Sequence, residues 1–374
     1  MEGLVTNGET RDGMKTPPFF HAAFRGKRVW LSGHTGFKGS WLSQWLLELG
    51  AIVHGYALAP DTIPSLFNQL GLADRLEHEI ADIRDAGTVK KSLIDFQPDF
   101  AIHMAAQPLV RRSYVIPVET YETNVNGTIH VLEALRGITN PCAAVIVTTD
   151  KCYQNHESGR AYEESDALGG HDPYSSSKAM SEIATDAYRN SYFRHHPVRI
   201  SSARAGNVIG GGDWAEDRIV PDAMRALNKG ESISVRNPTA VRPWQHVLEP
   251  LSGYLTLAAK LASETTNQEF ASAFNFGPGP DSNRTVSDLV QEILKHRAGS
   301  WIDKSDPNAL HEATLLNLSI DKAKRILNWK PVWNFEETLE KTVAWYDEVH
   351  LKSTAPSELT SRQIGEYQFA SQQC

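Results

Sequence analysis

"LSGHTGFKGSWL", residues 31–42, decides the fold. It follows the short apolar run "RVW" and leads into "SWLSQWLLELG", so Gly33, Gly36 and Gly39 stand where a strand hands over to a helix. Glycines at this spacing let the backbone pass close to a pyrophosphate, while the helix N-terminus turns its unpaired N–H groups towards the phosphates. Thr35, Phe37 and Lys38 fill the same turn and are expected beside the cofactor. A strand-to-helix turn alone needs no ligand; the rest of the chain changes its weight. Downstream, the runs "IVHGYAL", "FAIHMAA", "AAVIVTT" and "VRISSARAGNV" alternate with segments of helical period, "TVKKSLIDFQ", "NVNGTIHVLEALRGI" and "SSSKAMSEIATDAYRNSYF". The short runs are apolar throughout instead of at every second residue, the mark of a parallel sheet covered on both faces. The expected fold is therefore α/β, a doubly wound parallel sheet opening on a dinucleotide turn.

Composition bounds the rest. At 374 residues the chain has room for one large domain and a smaller companion. Its formal net charge of −8 argues against a nucleic-acid or anionic-membrane partner, either of which needs a basic face. Cys142, Cys152 and Cys374 show neither CxxC nor metal-ligand spacing, which predicts a reducing compartment, no disulfide framework and no metal. No apolar stretch reaches the ~18 residues of a membrane span, and the first twenty residues lack the apolar centre of a signal peptide. The cytoplasm is the expected location. Residues 1–24 read as a mobile tail, 25–207 as the dinucleotide-binding domain, and 238–272 as a return to it. Residues 208–237 and 273–350 read as a smaller α/β substrate-binding lobe, and 351–374, without an apolar period, as a second tail.

Two further stretches carry chemistry. In "PYSSSK", residues 173–178, Tyr174 and Lys178 are four apart at the start of a helix and share one face. A phenol, with a pKa of about 10 in water, serves as a base near neutrality only if a neighbouring cation favours its phenolate. In "VTTDKCY", residues 147–153, Asp150 and Lys151 fall at the carboxyl end of a buried strand, where open α/β sheets bind ligands. A salt-bridged turn would present the same dipeptide. Asp82 and Ile83 in "ADIRD" suit the adenine side of a dinucleotide, and equally a surface turn. The acid expected about twenty residues past the glycine turn has no clear candidate, because Asp61 lies late; on residues alone NAD and NADP stay open.

The stretches "GHTGFKGSWL", "HMAAQPLVRRSY", "TNVNGT", "TTDKCY", "PYSSSKAMSE", "RAGNVIGGGDWAEDRIVPD", "RPWQHVLEPLSGYL" and "FNFGP" together resemble the extended short-chain dehydrogenase/reductases, and among them the nucleotide-sugar 4,6-dehydratases. The resemblance implies a Rossmann domain holding NAD and a hydro-lyase reaction of deoxysugar biosynthesis. It casts Tyr174 as the base for the sugar 4-hydroxyl, Thr149 as its hydrogen-bonding partner, and Lys178 as the ligand of the nicotinamide ribose that tunes Tyr174. Asp150 would protonate the departing 6-hydroxyl, Asn124 would position the lysine through water, and Ala105, Ala106 and Gln107 would line the cofactor channel. Many members carry glutamate where this chain has Lys151, and lysine marks the branch that acts on CDP-glucose. As C5 base near pH 7, Lys151 would need its pKa lowered by roughly 3 units, or ~4 kcal/mol. The rival account leaves it charged, steadying the enolate, and either way its titration is coupled to that of Asp150.

The substrate half must hold a diphosphate. Arg242 in "RPWQH" is the leading clamp, since guanidinium meets phosphate oxygens bidentately. Asn207, Arg218 and Arg236 are secondary candidates, with surface salt bridges as the alternative, an equal one for Arg218. His103 and His246 read as structural. The resemblance further implies a homodimer or homotetramer, paired through the Tyr174 helix and the "NVNGTIHVLEAL" helix. Other readings are a GDP-mannose or dTDP-glucose dehydratase, a sugar epimerase with no need of the Asp150–Lys151 pair, and a non-catalytic nucleotide-binding regulator, for which Tyr174 and Lys178 would be dispensable.

Overall fold

The computed structural model describes residues 19–263, 268–306 and 315–373. Seven strands form one parallel sheet: β1 (Arg28–Ser32), β2 (Ile52–Ala57), β3 (Glu77–Ile80), β4 (Phe100–His103), β5 (Cys142–Val147), β6 (Val198–Ala205) and β7 (Ala273–Phe276). They run in the spatial order β7-β6-β5-β4-β1-β2-β3, all neighbours parallel. This is the Rossmann arrangement, and the order reverses between β1 and β4, where such sheets bind ligands. Every residue of β4 and β5 is buried, because helices cover both faces. β3 is half-exposed along its length. Its polar sequence "EHEI" gave no strand signal, since an edge strand has less to bury.

The layer on one face is built from residues such as Trp30, Leu93, Val131 and Ile200. The layer on the other holds Trp41, Trp45, Leu251 and Phe274, and runs on without a break into Leu289, Leu339 and Trp345 of the smaller lobe. The lobe is built from two short strand pairs, Ile233–Val235 with Trp301–Asp303 and Val241–Pro243 with Asn283–Thr285. The helices Ile219–Asn228, Val286–His296 and Phe335–Leu351 complete it. Capping boxes, Thr285 with Asp288 and Asn334 with Glu337, fix where the last two begin.

Three expectations are corrected. Residues 273–276, assigned to the lobe, are the seventh strand of the main sheet, hydrogen-bonded to β6. The first tail is shorter than expected: Phe20 and Phe24 are buried against Trp45 and Phe100, while residues 1–18 lie outside the described residues. The second tail is a helix, Pro356–Ser371, that buries Leu359, Thr360, Gln363, Ile364 and Tyr367. Two of those five are polar, which is why no apolar period shows. The Tyr367 hydroxyl donates to Glu249 at 2.7 Å, and the backbone N–H groups of Val332 and Trp333 donate to the same carboxyl. No helix among the described residues is long and apolar enough to cross a membrane.

Candidate active site

The glycine turn sits at the reversal of strand order. Gly33 has φ +77°, and a Cβ there would lie 2.8 Å from the Ala105 nitrogen, so the turn from β1 presses directly on the loop after β4. Gly39 lies against the Gly33 carbonyl, where a Cβ would come within 2.0 Å of the oxygen. Gly36 caps the helix Phe37–Glu48 without any side-chain acceptor, leaving first-turn N–H groups for an anion. Thr35 donates to the Leu58 carbonyl at 2.8 Å and pins the turn to β2. This cradle fits a dinucleotide diphosphate.

Ser32 fastens the two sides of that cradle. Its oxygen accepts from the N–H groups of Met104 and Ala105, at 3.0 and 3.1 Å, so its own proton goes to Nδ1 of His103 at 2.7 Å. The proton of His103 then lies on Nε2, facing Thr128 at 3.2 Å, and Thr128 donates onward to the Asn124 carbonyl at 2.6 Å. Burial pushes His103 down to about 3, so it is a neutral structural group. Asn124 clamps Gln107, accepting from its N–H at 2.8 Å and donating to its carbonyl at 3.1 Å, and also donates to Ser177 at 2.8 Å. The side-chain amide of Asn124 is therefore spent on Gln107 and on Ser177, the neighbour of Lys178. Ala105 and Ala106 are partly open beside it. Asp82 is held by Arg84 through both side-chain and backbone bonds, and Ile83 is buried behind it.

At the end of β5, Thr149 caps a single 3-10 turn, Asp150–Cys152. Its hydroxyl donates to Asp150 at 2.9 Å and also bonds the Tyr174 phenol. Asp150 is buried, and burial pushes its carboxyl above the usual range against the opposing pull of Lys151, Thr149 and Arg242. Space for it is left by Gly206, where a Cβ would lie 2.9 Å from an Asp150 oxygen. Tyr174 is pushed up to about 12 by burial, with Thr149 and Arg218 drawing it back. Lys178 donates to the Val147 carbonyl at 3.3 Å and is lowered to about 8 by burial, which Glu182 opposes. Arg218 is thus one cation that draws the phenol down; the resemblance gives that task to Lys178, one helical turn from Tyr174. Lys151 is half-buried beside Asp150, its N–H donating to Thr149 at 3.4 Å.

Behind this turn lies a buried ion pair, Glu182 with Arg204 at 2.9 Å. Glu182 also accepts from Ser202 at 2.7 Å and from the Thr148 hydroxyl. Lys38 reaches across from the glycine turn to the hydroxyl of Tyr254 at 3.0 Å, and burial lowers it to about 7. Arg242 is buried and close enough to act on Asp150. Asn207 follows Gly206 and is half-buried. Arg218 pairs with Asp213 at 2.9 Å, is partly exposed, and its charge reaches the Tyr174 phenol. Arg236 pairs with Asp217. His246 is buried between Trp41 and Trp333. Tyr254, Glu182, Arg111 and Asp217 were not singled out in the sequence; each gains its place only through partners at least 19 residues away.

Residues 31–342 match the family described as GDP-mannose 4,6 dehydratase. The chain is 46% identical over 354 residues to the CDP-glucose 4,6-dehydratase of Salmonella typhimurium, covering 93% of this chain and 98% of that protein. Among solved structures it is similar to DesIV, a dTDP-glucose 4,6-dehydratase from Streptomyces venezuelae crystallised with NAD bound. That likeness has a TM-score of 0.72 at 26% identity and covers 86% of this chain and 97% of the other. The epimerase Mth375 from Methanothermobacter thermautotrophicus shares the fold, with a TM-score of 0.73 at 23% identity over 92% of this chain and 96% of its own.

Proposed function

The chain belongs to the GDP-mannose 4,6-dehydratase family, and from that premise we propose that it dehydrates CDP-glucose to CDP-4-keto-6-deoxyglucose with NAD as cofactor. It is a nucleotide-sugar 4,6-dehydratase, a hydro-lyase. The observation that carries the reaction type is the turn Thr149–Asp150–Lys151: a buried carboxyl biased towards its protonated form, bonded to a threonine that also touches the tyrosine phenol. An epimerase has no need of such an acid.

The glycine turn, Gly33, Gly36 and Gly39, would hold NAD, which would supply the reversible hydride acceptor that the shift from sugar C4 to C6 needs. Tyr174 removes the proton of the 4-hydroxyl, and the Thr149 hydroxyl holds the oxygen as it becomes a ketone. The ketone acidifies C5–H, and Lys151 takes that proton as a neutral amine and returns it to C5 once hydride has been added at C6. Asp150 delivers its proton to the departing 6-hydroxyl, so that one water leaves across C5 and C6. Lys178 would hold the ribose of the cofactor. Arg242, with Asn207, Arg218 and Arg236, faces the diphosphate.

Assembly is proposed on the helix Pro173–Ser191, which exposes Met180 and Ile183, while two helices packed against it expose Val115 and Val118. That stripe suits a homodimer. The buried free thiols of Cys142 and Cys152 suit a reducing cytoplasm. The test is turnover of CDP-glucose, dTDP-glucose and GDP-mannose by purified protein, followed by the alkaline absorbance of a 4-keto product. CDP-glucose is expected to be turned over with the highest kcat/KM. A preference for either other sugar overturns the cytidine assignment, and no turnover of any overturns the enzyme reading.

A further inference from the structure

Asp217 lies on the loop that carries Arg218 into the active site, and it is gripped from both walls of the cleft. Arg111, from the helix Val110–Val115 beside the cofactor loop, donates to its Oδ1 at 3.3 Å. Arg236, from the end of the lobe strand Ile233–Val235, bonds the same oxygen and also donates to the Asp217 carbonyl at 3.0 Å. Both walls belong to the reaction centre: Ser113, two residues from Arg111, accepts from the N–H of Tyr174 at 3.2 Å, and the charge of Arg218 reaches the Tyr174 phenol. Asp217 itself has φ +61°, a left-handed conformation that a non-glycine residue adopts at a cost of about 1 kcal/mol. Two arginines converging on one oxygen, and a backbone bent to deliver it, make an anion site that the chain fills with its own carboxylate.

We propose that Arg111 and Arg236 form a subsite for the substrate's diphosphate, and that Asp217 occupies it until substrate displaces the carboxylate. This rests on the reading of the chain as a nucleotide-sugar dehydratase. With C4 of the sugar at Tyr174, the diphosphate on C1 leaves the far side of the ring and must be held outside the catalytic turn, by groups that, like these, stand partly in solvent. A diphosphate carries more charge and more acceptor oxygens than one carboxylate, so the exchange runs towards bound substrate. The three side chains are 45–47% exposed, which keeps each ion pair weak enough to yield. Arg236, then Arg111, hold Asp217 below its ordinary value, so the carboxylate is charged whenever the site is empty.

The test uses Asp217→Asn, because asparagine tolerates a left-handed backbone and removes only the charge. CDP and inorganic pyrophosphate are titrated by calorimetry, and CDP-glucose turnover is measured alongside. The variant is expected to bind CDP and pyrophosphate roughly three- to tenfold tighter and to lower KM by a similar factor, as one or two weak pairs no longer compete. Adding Arg111→Met to that variant is expected to raise KM again. If Asp217→Asn does not fold, Asp217→Gly replaces it. Equal or weaker CDP binding by a folded variant overturns the inference, as does an unmoved KM on adding Arg111→Met. Failure of the wild type on every nucleotide sugar strikes the proposed function instead, and the pyrophosphate titration still decides the anion site.

Discussion

Asp150 and Lys151 are neighbours with opposed requirements. Burial raises the Asp150 carboxyl although a lysine stands beside it, so desolvation outweighs the attraction and biases the residue towards the protonated form that the leaving hydroxyl needs. The sign follows: kcat falls on the alkaline side as that proton is lost. Asp150→Asn is expected to lower kcat by about 10²–10⁴-fold and to flatten the alkaline limb of the pH profile. Lys151→Met is expected to pass hydride to NAD in a single turnover yet lose exchange of the C5 hydrogen with deuterated solvent; unchanged exchange sinks the base role. Tyr174, Lys178 and the 149–151 turn were legible because each is a local spacing next to a strand or helix end. Tyr254 was not, because nothing near it in the chain announces that Lys38 will arrive from 216 residues away.

Among the elements, the helix Pro356–Ser371 was the least legible, since it packs through hydroxyls and amides as much as through apolar side chains. Its anchor is Glu249, whose carboxyl burial raises to about 7 from the 4.5 of an exposed glutamate. Because the folded state holds this proton more tightly, the associated stability is complete below pH 4.5 and is lost as pH climbs to about 7. The loss is on the order of 3 kcal/mol, and urea unfolding across that range should record it. Glu249→Gln is expected to abolish the slope. Tyr367→Phe removes a hydrogen bond to this group and is expected to destabilise by about 1.5–3 kcal/mol, again by urea unfolding. The strands β1, β2, β4, β5 and β6 were readable from their continuous apolar runs, whereas β3 and β7 at the two sheet edges were not.

At the scale of the whole molecule, the alternation of strand and helix fixed the Rossmann class, and the glycine turn fixed its first crossover. How the lobe attaches was hidden, because a single core runs through both parts and no change of composition marks the join. The outer stripe of the Pro173–Ser191 helix belongs to this scale too. Met180→Glu with Ile183→Glu is expected to turn the proposed dimer into monomers in sedimentation velocity; a sedimentation coefficient that does not move removes this face from the proposed assembly.

The seventh strand has one more consequence, for biosynthesis. On a growing chain β6 is finished long before β7, and all of 206–272 must leave the ribosome before the edge of β6 finds its partner. Until then β6, buried at seven of its eight positions in the finished fold, offers a bare edge of hydrogen-bonding groups, the kind of edge that invites aggregation. A nascent chain stalled at residue 260 should therefore be the species that chaperones hold, and one released beyond residue 280 should not.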